Sequence, residues 1–436
     1  LAPGDSTAKL TLHLGAEHGD REAGWRALQR VARACGDAMA ARGRDQPHPA
    51  GWCSWYYYFE KVTEQDVVEN LEVLAADGLR GPKFGCEYVM VDDGHQAEIG
   101  DWLDTHPAKF PSGMADLARR IGSAGFDSGI WWAPFFAAPR SKVALAHPDW
   151  LVRGPSGRPI TGLINPAWGI TKPMRVLDTT HPEVLAHLTA TARHIGGQWG
   201  YRIQKLDFLY AAALPGIRHD RGATRAQSLR RGLEAIRRGA GEEAFLLGCG
   251  CPLGPAIGVV DAMRIGADVT PYWTNWLARH VLLDTHGLAT RHAVMNTLTR
   301  AVVDGAWWLN DPDCLMLRDS ETRLNEEEVR LMATVFAMTN GMIVLSDHLT
   351  RLPEARLDLL RRARHLAGGR PTVGDLFDGP APGILTAEHA DRVDVAALNL
   401  TDAPLRRRID VAPLVREDGD GDRYEYWTGA PVPVRD

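Results

Sequence analysis

Arg202-Ile203-Gln204-Lys205-Leu206-Asp207-Phe208 is the stretch on which the reading of this chain turns. Its apolar residues, Ile203 and then Leu206, alternate with polar ones. Side chains of a strand alternate faces, so Lys205 and Asp207 are expected to point one way and Leu206 the other. A lysine and an aspartate facing inward at the end of a buried strand are costly unless paired or used. Two readings follow. They form a structural ion pair, or Lys205 binds a ligand hydroxyl and holds Asp207 ready to attack.

Outward from this strand, β-like and α-like runs alternate. Upstream lie Gly51 to Trp55, Glu87 to Val91 and Ser128 to Ala133. Downstream lie Phe245 to Cys249, Ala262 to Gly266, Trp307 to Asn310 and Met342 to Ser346. Helical stretches separate them. One runs from a Thr63 cap to about Ala76, and others span Ser112 to Ala124, Pro182 to Ile195 and Ala223 to Gly239. Trp276 to Asp304, Asn325 to Met338 and a last run reaching His365 complete the set. Alternation of this kind predicts a parallel sheet, and eight repeats predict a (β/α)8 TIM barrel. A doubly wound sheet is the alternative, but no G-x-G-x-x-G follows the first strand.

The barrel is expected over residues 49–366. Residues 1–48 read as an N-terminal extension. It holds a strand-like Lys9 to Leu14, read as the end of a cropped β domain, and a helix over about Glu22 to Arg42. Trp25, Leu28, Val31, Ala32 and Cys35 fall at helical spacing in that helix. Residues 367–436 show short alternating runs, Gly383 to Thr386 and Val393 to Leu398, broken by Gly, Pro and Asp. They predict a small antiparallel, β-sandwich-like C-terminal domain.

Hydrophobic residues make up 45% and charged residues 24% of the 436, the balance of a globular chain. A net charge of −6 gives no basic footprint, so nucleic acid is not an expected partner. No apolar run reaches membrane-spanning length. The first residues, Leu1-Ala2-Pro3, carry neither a starting Met nor a signal peptide and read as the start of a partial chain, so they say little about export; the cysteines make a cytoplasmic rather than secreted location the expectation. The six cysteines are scattered and read as buried free thiols, which fits a reducing compartment. Cys249-Gly250-Cys251 is too short for C-x-x-C zinc spacing. His95, His147, His181 and His219 lack metal-ligand spacing and read as loop or cap residues. No metal and no organic cofactor is expected.

In barrel enzymes the site lies at the C-terminal ends of the strands. Here those ends supply Trp52 and Trp55, Asp92 and Asp93, Trp131 and Trp132, Lys205 and Asp207, Cys249, Arg264 with Asp268 four residues on, and Asn310-Asp311-Pro312-Asp313. Carboxylates accept sugar hydroxyls and aromatic rings stack on apolar sugar faces, so the set describes a polyol site with an acid and a base. Each piece has a plainer reading. Asp92-Asp93-Gly94 also suits a turn, the Asn310–Asp313 run is favoured as turn chemistry, and the tryptophans also suit a core.

In order along the chain, Gly51-Trp52-Cys53-Ser54-Trp55-Tyr56, Val91-Asp92-Asp93-Gly94, Gly129-Ile130-Trp131-Trp132, Arg175-Val176-Leu177-Asp178, Lys205-Leu206-Asp207, Arg264-Ile265-Gly266-Ala267-Asp268 and Asn310-Asp311-Pro312-Asp313 resemble the α-galactosidase (melibiase) clan of glycoside hydrolases, closest to family 36. The resemblance implies a retaining exo-α-galactosidase acting on sugars such as melibiose or raffinose. By the same resemblance Asp207 is the nucleophile and Asp268 the general acid/base. Asp92 and Asp93 bind the axial 4-OH and the 6-OH, Lys205 and Arg175 nearby hydroxyls, and Arg264 the region of the 2-OH. Trp52 and Trp131 wall the pocket, and Cys249, in preference to Cys251, joins the 2-OH contact. An α-N-acetylgalactosaminidase or a galactosyl-transferring enzyme of the same clan, and a Schiff-base aldolase using Lys205, stay open. A homo-oligomer is compatible with these readings.

Overall fold

The computed structural model describes residues 22–42, 48–76, 85–169, 172–275, 287–379, 381–406, 409 and 423–432. The expected strand at Lys9 to Leu14 and the first part of the helix expected from Trp276 lie outside the described residues.

Nine short strands form one sheet among the described residues. They are β1 (Ala50–Cys53), β2 (Cys86–Val91), β3 (Asp127–Trp132), β4 (Ile203–Leu206), β5 (Phe245–Gly248), β6 (Ala262–Arg264), β7 (Leu309–Asp311), β8 (Cys314–Leu315) and β9 (Ile343–Leu345). Every neighbouring pair is parallel. The strands are buried on both faces, which is why they read as nearly unbroken apolar runs.

The ladder order is β8-β9-β1-β2-β3-β4-β5-β6-β7. Its two ends, β7 and β8, are separated in the chain only by Pro312 and Asp313. They are two halves of one strand, interrupted where proline has no N–H to donate. The Met342 N–H donates to Asn310 O at 2.9 Å, so the segment entering β9 also reaches the β7 side of the break. This curled, parallel α/β sheet is consistent with the expected TIM barrel.

The principal helices start where short polar side chains satisfy free backbone donors. In α2 (Glu64–Ala76), Thr63 Oγ1 accepts the Asp66 N–H and Asp66 Oδ2 accepts the Thr63 N–H, at 3.3 and 2.8 Å. Reciprocal capping boxes open α5 (Arg225–Ala240) at Thr224 and Gln227, and α7 (Glu326–Met338) at Asn325 and Glu328. Between these lie α3 (Met114–Ser123), α4 (Pro182–Arg193) and α6 (Thr290–Arg300). The last helix, α8, is Glu354–His365. No described helix is long and apolar enough to cross a membrane.

Several local expectations are corrected. The N-terminal helix α1 is Ala23–Ala38, and Val31 is 54% exposed, so its apolar stripe is narrower than the spacing suggested. β1 stops at Cys53, and Trp55–Tyr58 forms a single helical turn. β4 stops at Leu206, so the alternation that was to align Lys205 with Asp207 does not extend to Asp207. The C-terminal region holds a three-stranded antiparallel sheet of β10 (Arg370–Val373), β11 (Ile384–Glu388) and β12 (Val393–Ala397). An excursion between β3 and β4 is framed by a two-residue antiparallel ribbon, Phe136–Ala137 against Arg175–Val176.

Candidate active site

β2 delivers Asp92 and Asp93 to the end of the sheet, both buried. Asp92 is built into the backbone around it. Its N–H donates to Ser54 Oγ at 2.9 Å, and its Oδ1 accepts the Asp93 N–H at 2.9 Å. Its Oδ2 accepts the Lys205 ammonium at 2.7 Å and the Cys53 thiol at 3.3 Å. Burial alone would lower the Lys205 ammonium, but Asp92 outweighs it and holds the group well above its ordinary value. The expected Lys205–Asp207 pair is therefore corrected: the hydrogen-bonded partner of Lys205 is Asp92.

Asp207 has its own hold. Its Oδ1 accepts the Phe208 N–H at 2.6 Å and its Oδ2 accepts the Trp131 indole N–H at 3.1 Å. Phe208 is left-handed, with φ 51°. The next loop explains how that conformation is kept. A Cβ on Gly250 would lie 3.2 Å from Phe208 Cα and 3.3 Å from Asp207 Oδ1. Glycine lets the loop lie flat on Asp207, and Gly250 O then accepts the Tyr210 N–H at 2.8 Å.

Asp93 is tied to two residues that the sequence reading did not select. Gln96 Nε2 donates to Oδ1 and the Trp168 indole N–H to Oδ2, each at 2.6 Å. Trp168 belongs to the excursion between β3 and β4 and packs edge-on against Trp131 and Phe208. Burial pushes the Asp93 carboxyl up to about 6 against the pull of these two donors.

On the far side, Arg264 closes β6 and serves three carboxylates. Its guanidinium meets Asp268 Oδ1 at 2.9 Å, Asp313 Oδ1 at 2.6 Å and Asp311 Oδ2 at 3.4 Å. Burial would lower the guanidinium, but Asp313 and Asp311 outweigh it and hold it well above its ordinary value. The Asp268 side chain is 44% exposed, and no described residue donates to its second oxygen. Asp313 is fully buried and accepts the Val269 and Cys314 N–H groups at 2.8 and 2.7 Å, and the Tyr56 hydroxyl.

Cys249 lies in the field of both halves. Burial pushes its thiol well up, Asp207 and then Asp268 push the same way, and Arg264 and Lys205 oppose them. Cys251 instead turns its thiol to Pro252 O at 3.3 Å. Two selected residues stand apart. Trp52 precedes the inward-facing Cys53 and so points to the opposite face, fully buried, with its indole N–H on Asp347 O at 2.9 Å. It does not wall the site. Arg175 reaches Pro159 O and Thr161 Oγ1, each at 3.3 Å, and not the rim carboxylates.

The histidines also sort themselves. His95 lies in the loop after β2, as expected, but is fully buried there: burial lowers its ring to about 3, so it is neutral. His181 caps α4 by accepting the Glu183 N–H. Potential ligand atoms of Asp149, His181 and Glu183 lie within 4.8 Å of one another. This cap has its own bonds, however, because Glu183 also takes the Trp150 indole N–H at 3.0 Å.

The Lys205–Asp92 pair, Asp93, Asp207 and Asp268 thus lie at or just beyond the C-terminal ends of the strands, where the sequence placed a candidate polyol site. The melibiase family model matches residues 45–207. TtGalA, an α-galactosidase from Thermus thermophilus solved with p-nitrophenyl α-D-galactopyranoside, is 31% identical. The match covers 89% of this chain and 71% of that one, with a TM-score of 0.70. The same enzyme solved with stachyose is 34% identical over 77% of this chain and 68% of that one, with a TM-score of 0.67. An Escherichia coli α-galactosidase is 32% identical over 90 residues, 19% of this chain and 13% of its own length. The chain belongs to the α-galactosidase (melibiase) clan of glycoside hydrolases. The stretch shared with that curated relative is thus a small part of it.

Proposed function

We propose that this chain is a retaining exo-α-galactosidase, releasing terminal α-linked galactose from oligosaccharides of the melibiose and raffinose type. The observation that carries the reading is the contrast between two aspartates flanking Cys249. Asp207 is fixed by two donors, whereas Asp268 is held through one oxygen and half open. A retaining glycosidase needs one carboxylate placed for attack and a second that gives and retakes a proton.

In this reading Asp207 attacks the anomeric carbon and forms a β-linked galactosyl ester. The glycosidic oxygen leaves with the proton of Asp268. Asp268, now a carboxylate, takes a proton from water as that water displaces Asp207, and galactose departs with its α configuration restored. Asp92 and Asp93 accept the axial and primary hydroxyls, with Lys205 beside them. The likeness to the Thermus enzyme, whose structures hold a nitrophenyl α-galactoside and stachyose, supports this substrate class. A Schiff-base role for Lys205 fits poorly. That chemistry needs a neutral amine, and Asp92 holds this one charged.

A panel of nitrophenyl glycosides tests the reading. α-Galactoside turnover is expected to exceed α-glucoside turnover by about 10²-fold or more, because the wrong epimer leaves a buried carboxylate without its hydroxyl. Comparable rates on both would show that Asp92-Asp93-Gly94 is only a turn.

A further inference from the structure

Resting on the assignment of Asp268 as acid/base, we propose that Asp313, with Tyr56 behind it, is a positioning residue. It shares the charge of Arg264 with Asp268 and thereby sets the pH at which Asp268 gives up its proton.

The geometry is a double grip. One oxygen of Asp313 holds Arg264 at 2.6 Å, and Arg264 in turn holds Asp268 at 2.9 Å. The other oxygen holds the Val269 N–H at 2.8 Å, the backbone donor next in sequence to Asp268. One carboxylate therefore fixes both the cation facing Asp268 and the loop carrying it. Its backbone is left-handed, with φ 94°, a conformation that non-glycine residues rarely adopt. Here the strained aspartate is kept in the gap between β7 and β8.

Tyr56 completes the hold from the turn after β1. Its hydroxyl donates to Asp313, and its own carbonyl accepts Arg318 at 2.8 Å. The charged and titratable groups facing this centre are Arg264, Asp311, Asp268, Tyr56 and Cys314, with Lys205 and Cys249 beyond them. Burial pushes the Asp313 carboxyl up to about 7, opposed by Arg264. Its charge is therefore lost as pH falls through neutrality.

The consequence has a sign. While Asp313 is ionised, it takes part of the field of Arg264. Remove that charge, and Arg264 acts more fully on Asp268 and favours its anion. The acid form is then lost at lower pH.

The test is kcat/KM against pH for wild type, Asp313→Asn and Tyr56→Phe, each with melibiose and with a nitrophenyl α-galactoside. The alkaline fall-off on melibiose should move down by about one pH unit in Asp313→Asn. In Tyr56→Phe the Asp313 anion loses one donor and takes up its proton at higher pH, so part of its charge is lost and the fall-off should move the same way by less. Activity lowered equally at every pH, with the fall-off in place, would reduce Asp313 to a structural role and overturn the proposal. If Asp313→Asn does not fold by circular dichroism, the Tyr56→Phe profile decides by the same criterion. Asp268→Ala is the control for the underlying assignment. Equal losses on both substrates would remove Asp268 as acid/base, and the proposal with it, whatever the Asp313 variants show.

Discussion

The two sides of the site are built differently. On the β1–β5 side, carboxylates lie on or next to strand ends and take bonds from the backbone itself. Asp92 accepts the Asp93 N–H and Asp207 the Phe208 N–H. On the β6–β8 side, Asp268 lies four residues past Arg264 in a loop, half exposed and held by a guanidinium that two buried carboxylates also claim. The difference teaches a division of labour. Under the proposed roles, recognition and nucleophilic attack depend on fixed distances, and the groups that would perform them share the rigidity of the sheet. The proposed proton donor would have to reach water and the leaving oxygen in turn and to change charge, and it lies on a side whose electrostatic balance can shift.

The largest effect should come from Asp207→Ala. Turnover is expected to fall on the order of 10⁴-fold or more for every leaving group. Added azide should restore part of it and yield the β-galactosyl azide by direct inversion. An α-azide from this variant would exchange the roles of the two aspartates.

Lys205→Ala examines the rigid side through stability. It leaves Asp92 buried without its cation, and denaturant unfolding should show a loss of about 3–5 kcal/mol. Stability within about 0.5 kcal/mol of wild type would mean that the floor is far less dependent on the pair than the geometry indicates.

Asp268→Ala is the matching change on the open side. Unfolding should hardly move, since the side chain is 44% exposed. Melibiose turnover should drop about 10²- to 10³-fold, with much smaller losses for nitrophenyl leaving groups in the first step. Azide should rescue the second step and give the α-azide.

Trp168→Phe should have the smallest effect. It removes the indole donor that opposes the upward push on Asp93, so that carboxyl should rise further above about 6. Asp93 then gains its proton at higher pH. The acid-side loss of kcat/KM on α-galactosides should begin earlier by less than about one pH unit. An unmoved acid limb would place Trp168 outside the recognition of the sugar.

Strand ends carried the legible part of this site. Asp92, Asp93, Lys205 and Arg264 could be found because strands of three to six residues carry polar groups at or beside their C-terminal ends, and parallel sheets put those ends on one side. Partner choice could not be read. Whether Lys205 turns to Asp207 or to Asp92 depends on the curl of the sheet between β2 and β4, which no local pattern records. Trp168 was hidden for another reason, since its excursion has no period and its indole acts 75 residues from Asp93 in sequence. Trp52 misled because a strand-end tryptophan looks the same whichever face it takes. Asp313 was legible as a turn residue, but its hold on Arg264 joins the ends of two neighbouring strands, β6 and β7, that lie far apart in sequence.

The split strand that carries the two ends of the ladder also bears on how the protein is made. β1 finds its second neighbour only in β9, and Ser346 Oγ, just beyond β9, donates to Cys53 O across 293 positions of chain. Until that late segment leaves the ribosome, one edge of β1 has no partner in the sheet. Such contacts fold slowly, and an open apolar edge is a template for another nascent chain. Yield on overexpression should therefore depend on temperature and chaperone supply more steeply than the stability of the finished fold would suggest.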